Sequence, residues 1–76
     1  MNHALNLEVE RVDGALLRVI GMTERRGWST VSMHAESDDA AATLRLRLTV
    51  LGSRSIELLV RQLRKLYVVR EVEVLE

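Results

Sequence analysis

The chain has 76 residues, and a domain of this size buries only about 60–65% of its unfolded surface. We therefore expect a single domain over residues 1–76 that is too small to enclose an enzyme pocket and gains stability by pairing with a second copy. Eleven basic residues balance eleven acidic ones, so no net charge attracts nucleic acid or an anionic membrane. Cysteine is absent, which excludes disulfides and thiolate metal sites. With neither a leader-like start nor an apolar run of the roughly 20 residues that span a bilayer, a cytoplasmic protein is predicted.

The first quarter of the chain predicts a strand followed by a helix. Residues 3–10 alternate between apolar and polar side chains, which is typical of a half-buried strand. Apolar residues then recur at helical spacing, which predicts a helix over residues 14–26. Asp13 is the predicted N-cap, and Gly27 is the predicted left-handed residue that ends the helix.

A second strand is predicted over residues 28–35, where β-branched and hydroxyl side chains are frequent. Its inward set remains open and a bulge is possible, the alternatives being Val31 with Met33 or Trp28 with Thr30. The acidic, small-residue run 36–41 is the predicted turn after this strand.

The second half of the chain repeats the strand–helix–strand pattern. Strict alternation over residues 44–50 predicts strand three, and a break at Gly52 and Ser53 offers an N-cap for a helix whose apolar stripe runs from Ile56 to Leu66. Residues 69–75 predict the last strand. The order βαββαβ predicts an α+β, ferredoxin-like sandwich, with a four-stranded antiparallel sheet and two helices on one face.

The face of the predicted sheet that lacks helices carries charged side chains, and strands one and three are neighbours in the usual order of this fold. We expect opposite charges to pair across these strands. The residues concerned are Glu8, Glu10, Arg45, Arg47 and Thr49.

Several functions of this fold class need residues that the sequence lacks. RNA-recognition modules need aromatic side chains on their central strands, and copper carriers need paired thiolates. His3 and His34 have no ordered carboxylate or hydroxyl beside them, so we interpret them as strand residues. The run 36–39 lacks the glycine hinge and distal glutamate of a calcium loop. No metal or catalytic site is therefore predicted.

The junction between strand one and helix one is the more informative segment. Asp13, Gly14 and Ala15 place flexible backbone at a helix N-terminus, where free N–H groups and the dipole favour a carboxylate. A plain capped helix start accounts for the same residues equally well.

Two sets of residues resemble a known family. The first set consists of Gly14–Gly21, Arg26–Trp28 and Ser32–Met33. It resembles the opening signature of the ACT domain in small regulatory subunits of acetolactate synthase (acetohydroxyacid synthase). The second set consists of Leu48–Val50, Ser53–Ser55, Leu58–Leu59, Gln62–Leu63 and Lys65–Leu66. It resembles the short isozyme II type of small subunit. The resemblance covers essentially the whole chain.

This resemblance implies an activating, non-catalytic subunit of branched-chain amino acid biosynthesis. It implies a homodimer, paired side by side, that docks onto a large catalytic subunit. From the open sheet edge we separately expect the second strands to pair. Thiamine diphosphate, FAD and magnesium are expected on that catalytic partner, and no cofactor is expected in this chain.

The resemblance also implies a place for a small amino-acid effector between protomers. Backbone N–H groups near Gly14 and Ala15 come from one copy, and the start of strand two comes from the other. Arg11 and Ser29 replace two asparagines of the family, and arginine offers only donors and repels an ammonium group, so a weak or absent valine response is implied. The predicted effector-binding residues are Arg11, Asp13, Gly14, Ala15, Ser29 and Thr30. The alternative is a free-standing ACT sensor that binds a small amino acid and regulates another enzyme.

Overall fold

The computed structural model describes residues 1–75 and has the predicted βαββαβ order. Its elements are β1 (Asn2–Glu10), α1 (Ala15–Arg25), β2 (Ser29–Asp38), β3 (Thr43–Leu51), α2 (Ile56–Arg64) and β4 (Val69–Val74). The strands form one antiparallel sheet in the order β2-β3-β1-β4, and both helices lie on one face of it. The predicted ferredoxin-like fold is confirmed. Over residues 1–75, no helix is long and apolar enough to cross a membrane.

The core lies between the helix layer and the two central strands. Alternate residues of β1 and β3 point at the helices because successive side chains of a strand lie on opposite faces. Full burial of a leucine or valine contributes roughly 1.5–3 kcal/mol, so these two strands and the facing helices supply much of the stability. The residues at the centre of the core are Leu5, Leu7, Val9, Val19, Leu46, Leu48, Val50, Leu59, Leu63 and Val68.

The end of α1 confirms the predicted role of Gly27, which has φ +87°. The N–H of Gly27 donates to the carbonyl of Glu24 at 3.1 Å, and the N–H of Trp28 donates to the carbonyl of Thr23 at 3.2 Å. These two bonds form a Schellman motif, which satisfies carbonyls that the last helical turn leaves free. The N-cap of α2 is Ser55, so the prediction of Ser53 was wrong.

A bulge in β2 resolves the open question of its inward face. Thr30 pairs with Val50, and Ser32 pairs with Thr49, so Val31 is the extra residue. Thr30 therefore faces the helix layer before the bulge and Met33 faces it afterwards, because the bulge shifts the alternation by one residue. Trp28, just before the strand, is 2% exposed.

The turn after β2 begins later than predicted. Residues 36–38 belong to the strand, where Glu36 pairs with Arg45 and Asp38 pairs with Thr43. Charged side chains are tolerated there because this face of the sheet is open to solvent. The reversal itself occupies residues 39–42 and contains Ala42 at φ 55°.

Candidate functional site

The segment between β1 and α1 enters the helix through a left-handed residue. Gly14 has φ 80° and ψ 2° and is the N-cap, so the prediction of Asp13 as N-cap was wrong. The N–H of Ala15 donates to the carbonyl of Val12 at 3.2 Å, and the N–H of Arg18 donates to that of Gly14 at 3.0 Å. The helix therefore begins one residue too late for the Asp13 side chain to cap it, and no side chain does so.

The predicted backbone site at this helix start keeps some of its donors. Ala15, one of the two residues that the resemblance implies, already donates its N–H within the turn. The N–H groups of Leu16 and Leu17 have no acceptor within the described residues, and the first turn contains no acidic side chain. Two donors at the positive end of the helix dipole thus remain available to an anion.

Arg11, the first predicted effector residue, contacts the turn between β2 and β3. Its guanidinium donates to the hydroxyl of Ser37 at 2.9 Å and forms an ion pair with Asp39, while its N–H donates to the carbonyl of Ala42 at 3.1 Å. Hydrogen bonds from Ser37 and Arg11 hold the pKa of Asp39 below its ordinary value. Arg11 is therefore committed to the hairpin.

A second arginine fastens the same turn from β4. Arg70 forms an ion pair with Glu10 and donates to the carbonyl of Ala41 at 3.5 Å. The hydrogen bond from Arg70 holds the pKa of Glu10 below its ordinary value. We call the contacts of Arg11 and Arg70 the arginine clasps. They join residues 28 and 60 positions apart, so no local sequence pattern predicts them. The only local signal was an acidic turn in a chain with arginines at two strand ends.

Ser29 and Thr30 lie at the opposite end of the sheet from the other predicted effector residues. Ser29 pairs with Leu51, whereas Glu10, next to Arg11, pairs with Thr43 at the other end of β3. Nine strand residues separate the two ends by about 26 Å at roughly 3.3 Å per residue. The structure thus brings together Arg11, Asp13, Gly14 and Ala15, and one protomer does not add Ser29 and Thr30 to them.

A shallow depression lies on the face of the sheet that lacks helices. We call it the sheet trough, and it has a volume of about 550 Å³. Its charged lining consists of Glu8, Glu36, Arg45, Arg47, Glu71 and Glu73, with Asn6 and His34 beside them. Arg47 donates to the side-chain oxygen of Asn6 at 3.0 Å. Across residues 1–75, no group of three histidine, aspartate or glutamate side chains is arranged to hold a metal ion.

The predicted pairing of charges across β1 and β3 is met in register by one pair, and no ion pair joins these strands among the described residues. Glu8 lies directly opposite Arg45, as predicted. The nearest carboxylate to Arg45 is nevertheless that of Glu36 on β2, at 4.0 Å. Glu10 pairs with Arg70 of β4 instead of a β3 residue.

The chain is similar to ACT-domain proteins and to small subunits of acetolactate synthase. Residues 11–72 match the family model described as ACT domain. The acetolactate synthase isozyme 2 small subunit of Escherichia coli K12 is 32% identical over 74 residues, which cover 97% of this chain and 85% of that protein. The protein of the same name from Shigella flexneri is equally similar.

Two solved structures share the fold. The small subunit of acetolactate synthase from Thermotoga maritima superposes with a TM-score of 0.85 at 25% identity and covers 97% of this chain. The chain spans about half the length of that protein, 47%. Formyltetrahydrofolate deformylase from Burkholderia mallei has a TM-score of 0.69 at 19% identity over 84% of this chain and 23% of its own, which indicates the fold alone.

Proposed function

We propose that this chain, which belongs to the ACT-domain family and within it to the acetolactate synthase small subunits, is a non-catalytic subunit that binds and activates the large catalytic chain. The observation that carries the proposal is the 32% identity that extends over 85% of a whole small subunit. On this proposal the chain acts in the cytoplasm in branched-chain amino acid biosynthesis. Thiamine diphosphate, FAD and magnesium are held by the catalytic chain.

The proposed assembly is a homodimer joined through β2. This strand is an edge of the sheet, and an unpaired edge presents N–H and C=O groups that a second copy can pair with. Ala35 and Ser37 stay exposed although they lie opposite the inward-facing residues of β3, so the helix layer leaves this side of β2 uncovered. A partner's β2 and helix would cover it.

Antiparallel pairing of two β2 strands also accounts for the divided effector site. It sets the start of one β2, with Ser29, beside the end of the other, with Asp38. The end of β2 already contacts Arg11 through Ser37. A dimer of this kind therefore brings Ser29 and Thr30 of one copy toward the β1–α1 segment of the other.

We propose that this effector site responds weakly or not at all to valine. The guanidinium of Arg11 is engaged by Ser37 and Asp39 and offers no acceptor to an ammonium group. Calorimetric titration with valine should give little or no heat with the natural chain. The double variant Arg11→Asn with Ser29→Asn should gain measurable binding. Strong binding of valine by the natural chain would favour the sensor alternative instead.

Reconstitution tests the main proposal. The purified chain is titrated into the large catalytic subunit, loaded with its cofactors, and the condensation of 2-oxo acids is followed. A saturable increase in kcat is expected, and the chain alone should show no turnover. An unchanged rate at saturating chain, with no complex seen by size-exclusion chromatography, would contradict the proposal.

A further inference from the structure

We infer that the sheet trough is the surface that docks onto the catalytic chain, through a patch on that chain with basic residues facing β4 and acidic residues facing β3. This inference rests on the proposed function and adds the location and chemistry of the contact. The trough is open, and residues 1–75 place no helix or loop over it.

The charges of the trough form two ordered rows across the four strands. Residues opposite one another in register share a face of the sheet. The first row is Glu36, Arg45, Glu8 and Glu71, and the second is His34, Arg47, Asn6 and Glu73. The two arginines therefore lie along β3, Glu36 lies on their β2 side, and three carboxylates lie on β1 and β4. The trough carries a basic stripe beside an acidic one.

The acidic stripe is only partly compensated within residues 1–75, where Glu8 acts on Arg70 through its charge. Glu8 and Glu71 face each other directly across β1 and β4, and like charges in this position are destabilising. No cation among the described residues forms an ion pair with Glu8, Glu71 or Glu73. Lysine or arginine side chains on a partner would relieve this repulsion, and such complementarity supports specific and fast association.

A second copy of the chain is a poor occupant of the same surface. Two copies could pack these faces together about a two-fold axis perpendicular to the strands. Each strand would then lie on the same strand of the other copy, so the arginines of β3 would meet arginines. An axis along the strands, between β3 and β1, sets Arg45 against Glu8 but also sets Glu36 against Glu71 in the same row. The first arrangement opposes the arginines, and the second opposes the outer carboxylates, whereas an unrelated surface can match every charge.

The size of the face fits a docking surface once the chain is dimeric. The chain measures 36 × 19 × 16 Å, so its largest face is smaller than the roughly 800 Å² per partner of a standard interface. Pairing through β2 continues the sheet and places two troughs on one surface. The doubled face reaches the standard size.

Charge reversal on the trough provides the test. In the reconstituted complex, Glu71→Lys with Glu73→Lys and, separately, Arg45→Glu with Arg47→Glu should each raise the Kd for the large chain roughly tenfold or more. The matched control Glu24→Lys with Glu57→Lys makes the same change of charge on the helix layer and should leave the Kd unchanged. Added salt should weaken the natural complex and have less effect on the variants.

The outcomes separate this inference from the proposed function. If the natural chain activates the large chain and both trough variants, folded by circular dichroism, bind and activate equally well, the trough inference is overturned and the proposed function stands. If the natural chain neither binds nor activates, the proposed function fails first. If the trough variants change the oligomeric state of the chain alone in sedimentation, the trough is a contact between copies and the inference is wrong.

Discussion

Gly21 lies within α1, and Gly27 lies just after its end. Gly21 has a helical backbone, whereas Gly27 is left-handed. Gly27 has φ +87°, and an added Cβ would lie 3.3 Å from Nε of the movable Arg54 side chain, so Gly27→Ala is opposed mainly by the backbone. We expect it to lower the free energy of unfolding by about 1–2 kcal/mol. Gly21 is helical, and nothing lies within 4 Å of an added Cβ. Gly21→Ala should therefore raise the free energy of unfolding by about 0.5–1 kcal/mol. Urea unfolding of both variants checks the signs, and destabilisation by Gly21→Ala would contradict this account.

Gly52 is required for a different reason, which is its contact with Trp28. A Cβ on Gly52 would lie 2.5 Å from Cε3 of the indole, and the indole is held in place because Trp28 is 2% exposed. We expect Gly52→Ala to cost about 1–3 kcal/mol through overpacking. Circular dichroism reports the unfolding in every background, because the single tryptophan is itself replaced in the control below. In a Trp28→Phe background the smaller ring makes room, so an equal cost there would refute the proposed contact.

At the scale of elements, the two arginine clasps on the β2–β3 turn predict a dependence of stability on pH. The pKa of Glu10 lies below its ordinary 4.5 because of the hydrogen bond from Arg70, and that of Asp39 lies below 3.8 because of Ser37 and then Arg11. Since the folded pKa is depressed in both cases, the stabilisation is full above the ordinary pKa. It is lost as the pH falls through the folded pKa.

The measurement is the midpoint of thermal unfolding between about pH 6 and about pH 3. The natural chain should lose stability over the acid part of this range. Glu10→Gln and Asp39→Asn should each reduce the change of this midpoint with pH. Glu24→Gln is the matched control, because Glu24 is an exposed helix glutamate that forms no ion pair with the described residues. If the midpoint changes with pH equally in Glu10→Gln, Asp39→Asn and the control Glu24→Gln, the arginine clasps do not respond to pH.

The elements were predictable where one local period decides the structure. The alternation over residues 44–50 and the glycine after α1 each specify a strand or a helix end without reference to distant residues. The N-cap at Gly14 was not predictable, because a left-handed glycine and a capping aspartate compete for adjacent positions. The bulge at Val31 was left open, since only the pairing with β3 decides which residue is extra.

The candidate site was less predictable than the fold because its parts meet only through long-range contacts. Arg11 was assigned to an effector, and its contact with Asp39 depends on how the β2–β3 turn folds back over the end of β1. The separation of Ser29 from Gly14 follows from the sheet register. Whether the two meet depends on a second copy, so the effector assignment stays a prediction.

For the whole molecule, the decisive question is whether β2 pairs with a second β2, and one lysine can answer it. Ala35 is exposed, lies on the uncovered helix side and is near the middle of the ten-residue edge strand, so two copies of it approach each other in an antiparallel pair. Lysine at such an edge opposes pairing.

Ala35→Lys should therefore raise the dimer dissociation constant by roughly tenfold or more, as measured by sedimentation, because two like charges approach at the strand centre. The fold should persist, since the ladder of β2 with β3 does not involve this exposed side chain. Leu58→Lys, at a position 52% exposed on α2, adds the same charge away from β2 and should leave the dimer intact. If Leu58→Lys separates the copies and Ala35→Lys does not, the contact lies on the helix layer. The Arg11→Asn with Ser29→Asn variant would then have no reason to gain valine binding, because Ser29 would stay about 26 Å from Arg11.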